Sequence, residues 1–246
     1  MRSESVDLRY YGVCVVDVCI VIPAFNAAPA ISSVIERIHR VADHAGVIVV
    51  DDGSTDDTLQ IADRSGVRVI AHGTNRGKGA ALRTGIAAAL DSGADAIIQM
   101  DADGQHEADS IPEFIRALEG GEGDIIIGAR SFRRGVMPFH RRMSNTITSW
   151  MLSRLCGVHI PDSQSGYRIL ARRVAEEVKP RSNGFDFESE YIILATRLGF
   201  RIGSIPIATV YGAEDSSIRG WRDTFRFIRL MGLFWNNRSD KHLQDA

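Results

Sequence analysis

Cysteine is scarce in this 246-residue chain: Cys14, Cys19 and Cys156 are odd in number and show no Cys-x-x-Cys spacing. That excludes a disulfide framework and a thiolate metal site, and fits reduced thiols in a cytosolic protein. Charge of one sign is not in excess either, with 29 Lys and Arg against 31 Asp and Glu and a net charge of −2. A wholesale nucleic-acid binder carries a basic surplus, so no nucleic acid is expected as a partner. No apolar run is long enough to span a bilayer. The polar, acidic start from Met1 to Asp7 lacks the pattern of a signal peptide. A Walker loop is missing too: Gly73 to Gly77 is one residue short, and Gly79 stands where the magnesium-holding Ser or Thr belongs.

What is present is strand and helix in alternation. Val18 to Ile22, Val47 to Val50, Val67 to Ala71, Ala96 to Met100 and Ile125 to Gly128 are short apolar runs that read as buried parallel strands. Helices are expected after Pro23 to about Ala42, around Leu59 and Ile61 with Thr55 or Asp56 as cap, from Gly77 to Leu90, and from Ile111 to Leu118. The pattern predicts an α/β fold, a mostly parallel central sheet with helices on both faces. After Arg130 the rhythm changes to basic, amphipathic and loop-rich segments, which read as an elaboration of the same domain.

The chemistry gathers where strands end. Asp101-Ala102-Asp103 follows the fourth strand, and side chains at i and i+2 of a strand share a face. Ligands of open α/β sheets sit at that edge. Two carboxylates there suit a hard divalent cation, Mg²⁺ or Mn²⁺, with Gln105 as a neutral oxygen and a substrate diphosphate completing the shell. The competing reading is a solvated Asp-rich turn made by Gly104. Asp52 ends the second strand and can accept hydrogen bonds from a base or ribose. Asn75-Arg76-Gly77-Lys78-Gly79 opens a helix, where free N–H groups and Lys78 favour an anion. Arg130, just past the fifth strand, can fork onto phosphate oxygens. Glu188 and Glu190 sit at a helix start, where acids suit the dipole, and His106 reads as a loop hydrogen bonder.

Together these segments resemble family 2 glycosyltransferases of the GT-A fold. Val21-Ile22-Pro23-Ala24-Phe25-Asn26 resembles the family's opening strand and nucleotide loop. Val49-Val50-Asp51-Asp52-Gly53-Ser54-Thr55-Asp56 resembles its Asp-Asp-Gly-Ser motif. Asn75 to Gly79 resembles Asn-x-Gly-Lys-Gly, Asp101 to His106 the metal motif of Asp-x-Asp type, Gly128-Ala129-Arg130 the Gly-Ser-Arg, and Asp162 to Arg168 the Asp-x-x-Ser-Gly-Phe loop. The likeness is greatest to dolichyl-phosphate and polyprenyl-phosphate sugar transferases. It implies that Pro23, Phe25, Val50 and Asp52 cradle the nucleotide, that Asp101, Ala102, Asp103, Lys78 and Arg130 contact the nucleotide sugar, and that Asp101, Asp103 and Gln105 hold the metal. Asp103, Arg130 and Asp162 are the implied catalytic residues. Two departures stand out: Ala27 replaces a Glu of the mannosyltransferases, and in Tyr211 to Arg219 only Arg219 supplies a cation.

The expected activity is an inverting, metal-dependent transfer of sugar from a nucleotide-diphosphate sugar to a polyprenyl or dolichyl phosphate at the cytosolic membrane face. The expected layout is one domain over 1–246, with a nucleotide-sugar and metal half over about 18–130 and an acceptor and membrane half over about 131–235. Phe139 to Leu155 and Trp221 to Trp235 mix Arg with Trp, Phe and Ile, as interfacial helices do, and predict a peripheral position at the inner face of the membrane. The competing reading packs both apolar faces on the sheet; a membrane partner subunit or a second copy is another fit. Two other activities stay open: transfer to a saccharide or other hydroxyl with Asp162 as base, and a non-catalytic membrane- or partner-binding module with a relic nucleotide site.

Overall fold

The computed structural model describes residues 16–130, 139–184, 186–208, 227 and 229–234. Seven strands form its sheet: β1 (Val18–Ala24), β2 (Gly46–Asp51), β3 (Arg68–Ala71), β4 (Ala96–Gln99), β5 (Ile125–Arg130), β6 (Arg168–Ala171) and β7 (Ile202–Ile207). Their order is β3-β2-β1-β4-β6-β5-β7. Every neighbouring pair is parallel except those made by β6, which runs antiparallel between β4 and β5. The five expected strands are all present, at slightly different bounds. β6 and β7 were not legible, and both come from the second half of the chain.

Alternation along β1 divides the core. Val18, Ile20 and Ile22 pack on one face with α1 (Ile31–Val41), α2 (Thr58–Arg64) and α4 (Ile111–Glu119). Cys19 and Val21 pack on the other with α3 (Lys78–Asp91), α5 (Phe139–Cys156), α6 (Arg172–Glu177) and α7 (Phe187–Arg197). Both faces of a parallel sheet are thus covered, which is why its strands read as unbroken apolar runs. Gly85 sets the height of α3 over the sheet. A Cβ there would lie 2.3 Å from Val21 Cγ1, so only glycine admits the helix this close. The carboxyl ends of β1, β2, β4 and β5 open on one edge, and the site lies along it.

Candidate active site at the strand ends

The loops after β1 and β2 are sewn together by the Asp-Asp-Gly-Ser segment. Ser54 Oγ accepts the Asn26 N–H at 2.9 Å, Thr58 Oγ1 the Ala27 N–H at 2.7 Å, and Asp56 Oδ2 the Ala28 N–H at 3.1 Å. Asn26 Oδ1 in turn accepts the Thr55 N–H at 2.9 Å. These bonds satisfy backbone donors that no strand or helix uses. They leave Phe25 half exposed at the mouth, 49% accessible. Pro23 is buried within β1, and Val50 is wholly buried in the core. A ligand reaches Val50 only through its backbone.

Asp52 is buried and its carboxylate works inward. Oδ1 accepts the Arg76 N–H at 3.0 Å, and Oδ2 the Gly77 N–H at 2.7 Å. His72 Nδ1 lies 2.7 Å from Asp52 Oδ1, and Nε2 lies 3.0 Å from Thr84 Oγ1. A carboxylate only accepts, so Nδ1 is the protonated nitrogen here. The pair fixes the turn that opens α3. Gly77 and Gly79 bring that turn against the chain at 182–184; added Cβ atoms would lie 2.2 Å from the Asn183 carbonyl oxygen and 2.4 Å from that of Ser182. Glu190 secures the opposing loop by accepting the Arg181 and Ser182 N–H groups.

Lys78 is thereby delivered to Asp101. Its Nζ lies 2.7 Å from Asp101 Oδ1 and 2.8 Å from Glu188 Oε1. Against the cost of burial, the two carboxylates hold the ammonium well above its usual range. Asp101 moves the other way: burial opposes its charge, but Lys78 and then His106, whose Nε2 lies 3.6 Å from Oδ2, hold the carboxyl well below the carboxylate range. Gly166 makes room for it, since a Cβ there would lie 2.5 Å from Asp101 Oδ2. Asp103 keeps exposed surface. Crowding by the protein and then the Asp101 charge push its carboxyl up, while the Gln105 N–H, 2.9 Å from Oδ1, pulls it down. Ala102 is buried in the core between them.

Arg130, the last residue of β5, forks onto Asp162: Nε to Oδ2 at 2.7 Å and Nη2 to Oδ1 at 3.0 Å. The Asn145 amide adds a donor at 2.9 Å. Asp162 is wholly buried. Burial raises its pKa, but the Arg130 bonds, the Arg130 charge and Asn145 outweigh it and leave the carboxyl low. Arg168, at the start of β6, is also wholly buried, and it donates to the carbonyls of Ser165 and Glu188. The charges of Glu188, Asp162 and Asp101 bear on it from around the site. The insertion of β6 thus puts a fixed cation beneath three carboxylates.

In the sequence Glu188 and Glu190 read as acids suited to the helix dipole, one of them also open as a sugar or acceptor contact, and neither His72 nor Arg168 carries a role of its own. The interfacial expectations divide. On α5, Leu152 is buried, whereas Met143, Ile147 and Trp150 are 51%, 49% and 66% exposed. Arg219, Arg222, Phe225, Arg226 and Ile228 lie outside the described residues. Phe234, expected at the membrane, is instead buried: its ring lies under the Arg197 guanidinium, 4.6 Å from centroid. Its apolar face has a core to pack on. Among the described residues no helix is long and apolar enough to cross a membrane.

An open α/β sheet with an acidic pair after its central strand, Lys78 at the amino end of α3 and Arg130 at the end of β5 has the architecture of a GT-A glycosyltransferase. Solved structures agree. The glucosyl-3-phosphoglycerate synthase of Mycobacterium tuberculosis, in complex with Mn²⁺, UDP-glucose and phosphoglyceric acid, superposes with a TM-score of 0.70 at 22% identity, over 91% of this chain and 79% of that one. Within this class, the family model of glycosyl transferase family 2 matches residues 19–179, and the chain belongs to that family. Relatives include the UDP-N-acetylglucosamine–dolichyl-phosphate N-acetylglucosaminyltransferase of Methanococcus voltae, 30% identical over 82% of this chain and 88% of that protein. The polyprenol monophosphomannose synthase of Mycolicibacterium smegmatis is 30% identical over 76% and 75%. The expected fold, family and glycosyltransferase class are borne out.

Proposed function

We propose that the protein moves a sugar, with inversion, from a nucleotide-diphosphate sugar to a polyprenyl or dolichyl phosphate at the cytosolic membrane face. The named activities of the two 30%-identical relatives support a lipid-phosphate acceptor. The observation that carries the reading is the state of Asp162. A hydroxyl acceptor needs a base, and a buried carboxylate spent on Arg130 and Asn145 is a poor one. An acceptor phosphate arrives already anionic and needs none. Asp162 is then a positioning residue that aims Arg130 at a phosphate. Phe25 offers a face on which a base can stack. We read residues 18–130 as the donor half and 131–235 as the acceptor and membrane half of one domain, with the outward face of α5 on the lipid.

A divalent cation, Mg²⁺ or Mn²⁺, fits the donor set. Asp101 and Asp103 are close enough that the charge of the first pushes up the carboxyl of the second, a repulsion that a cation between them would relieve. Among the described residues no three His, Cys, Asp or Glu side chains can enclose a metal. Asp101, Asp103 and Gln105 would therefore hold it in part, with donor oxygens filling the shell. When bound, it supplies positive charge to the departing diphosphate. Lys78 and Arg130 add fixed charge beside it. The test is thermal stabilisation by UDP and GDP, with Mn²⁺ and with chelator. One diphosphate with Mn²⁺ should raise the Tm selectively, and Asp103→Ala should abolish that shift without lowering the Tm of the bare protein. A wild-type shift that survives chelator contradicts the cation assignment.

A further inference from the structure

One ammonium serves two carboxylates at this site. Asp101, held by Lys78 Nζ at 2.7 Å, belongs to the proposed cation site; Glu188, at 2.8 Å, lies outside it. Lys78 is placed there by construction, through the Asp52 and His72 pair on the turn before it and through Gly77 and Gly79 against the 182–184 loop. Glu188 is buried, and its other oxygen, Oε2, has no hydrogen-bond partner among the described residues.

We propose that Lys78 and a divalent cation are alternative counter-ions of Asp101, and that Lys78 exchanges Asp101 for the donor diphosphate while Glu188 keeps it anchored. The inference rests on the reading of Asp101 and Asp103 as the cation's carboxylates. An ammonium seated on Asp101 Oδ1 repels a second positive charge a few ångströms away. While it stays, the acidic pair binds a cation weakly. A diphosphate gives Lys78 another anion to face, and the dipole at the amino end of α3 favours that anion although the Arg76, Gly77 and Gly79 N–H groups are already bonded to Asp52 and Asn183. Cation and diphosphate then enter in concert, and each raises the affinity of the other by the same factor. A cation bridging to phosphate produces such linkage by itself. What Lys78 adds is suppression of cation binding when the diphosphate is absent.

The test is calorimetric titration of Mn²⁺ alone into the wild-type protein, Lys78→Met, and the double variant Lys78→Met with Glu188→Gln. The single variant leaves a buried and a partly buried carboxylate, Glu188 and Asp101, without their ammonium and can fail to fold. The double variant removes one of those charges and is then the one to read. Mn²⁺ should bind the folded variants about tenfold or more tighter than wild type. Equal or weaker binding overturns the exchange. A parallel measurement of wild-type stabilisation by UDP or GDP with Mn²⁺ separates the two readings. If it persists while the variants bind Mn²⁺ no tighter, the donor reading stands and the Lys78 exchange falls. If wild type takes up no Mn²⁺ with either diphosphate, both fall.

Discussion

At Asp162 the carboxylate and the guanidinium of Arg130 define each other. The folded state holds this carboxyl low, so the pair stabilises the protein above the unfolded carboxylate pKa of about 3.9 and loses that stability only as pH falls through the lower folded value. Asp162→Asn leaves Arg130 without its anion and should cost roughly 3 kcal/mol at neutral pH. Urea unfolding at pH 7, 5 and 3 checks this: the gap between variant and wild type should hold from pH 7 to 5 and narrow at pH 3. A gap that closes by pH 5 means Asp162 is not held low. Gly166 makes a sharper demand. Its added Cβ would lie 2.5 Å from Asp101 Oδ2, so Gly166→Ala must displace that carboxylate. Transfer should fall about 100-fold, the scale of a lost electrostatic stabiliser. An unchanged kcat would place Asp101 outside the reaction centre.

Among the elements, those that build the candidate site's edge were legible because each is a contiguous run ending in its candidate residue: Ala96 to Asp103 is strand, then site. β6 and β7 were not. β6 has four residues and opens on a charged Arg168, and β7 carries Gly203 and Pro206, which read as loop. Their strand character comes from pairing with β4 and β5 across long stretches of chain, which local periodicity does not register. Glu188 escaped for the same reason: its partner Lys78 lies in a distant segment, and the helix dipole already gave a local account. α5 was legible as amphipathic, but not which side it buries. Met143, Ile147 and Trp150 recur at helical spacing on its exposed side. Replacing all three with Ser should sharply reduce co-sedimentation with anionic vesicles and leave nucleotide-induced stabilisation unchanged, since exposed substitutions cost little stability. Equal sedimentation of variant and wild type would remove α5 from the membrane contact.

Across the whole molecule, one sheet joins two tasks. β1 and β4 from the first half present Phe25, Asp101 and Asp103, and β6 from the second half inserts beside β4 to bring Arg168 under the charges of Asp101, Asp162 and Glu188. Arg130 at the end of β5 meets Asp162 and Asn145, which ties the donor edge to α5. On the proposed reading, donor edge and acceptor surface are then parts of one continuous structure. The direct test is transfer itself. Purified protein is incubated with polyprenyl phosphate in detergent, a panel of UDP- and GDP-sugars, and Mn²⁺ or Mg²⁺, and the lipid fraction is read by mass spectrometry. The account predicts a glycosyl monophosphate lipid from one donor, its formation abolished by chelator. Sugar appearing on a soluble hydroxyl acceptor, with the lipid phosphate unmodified, would contradict it.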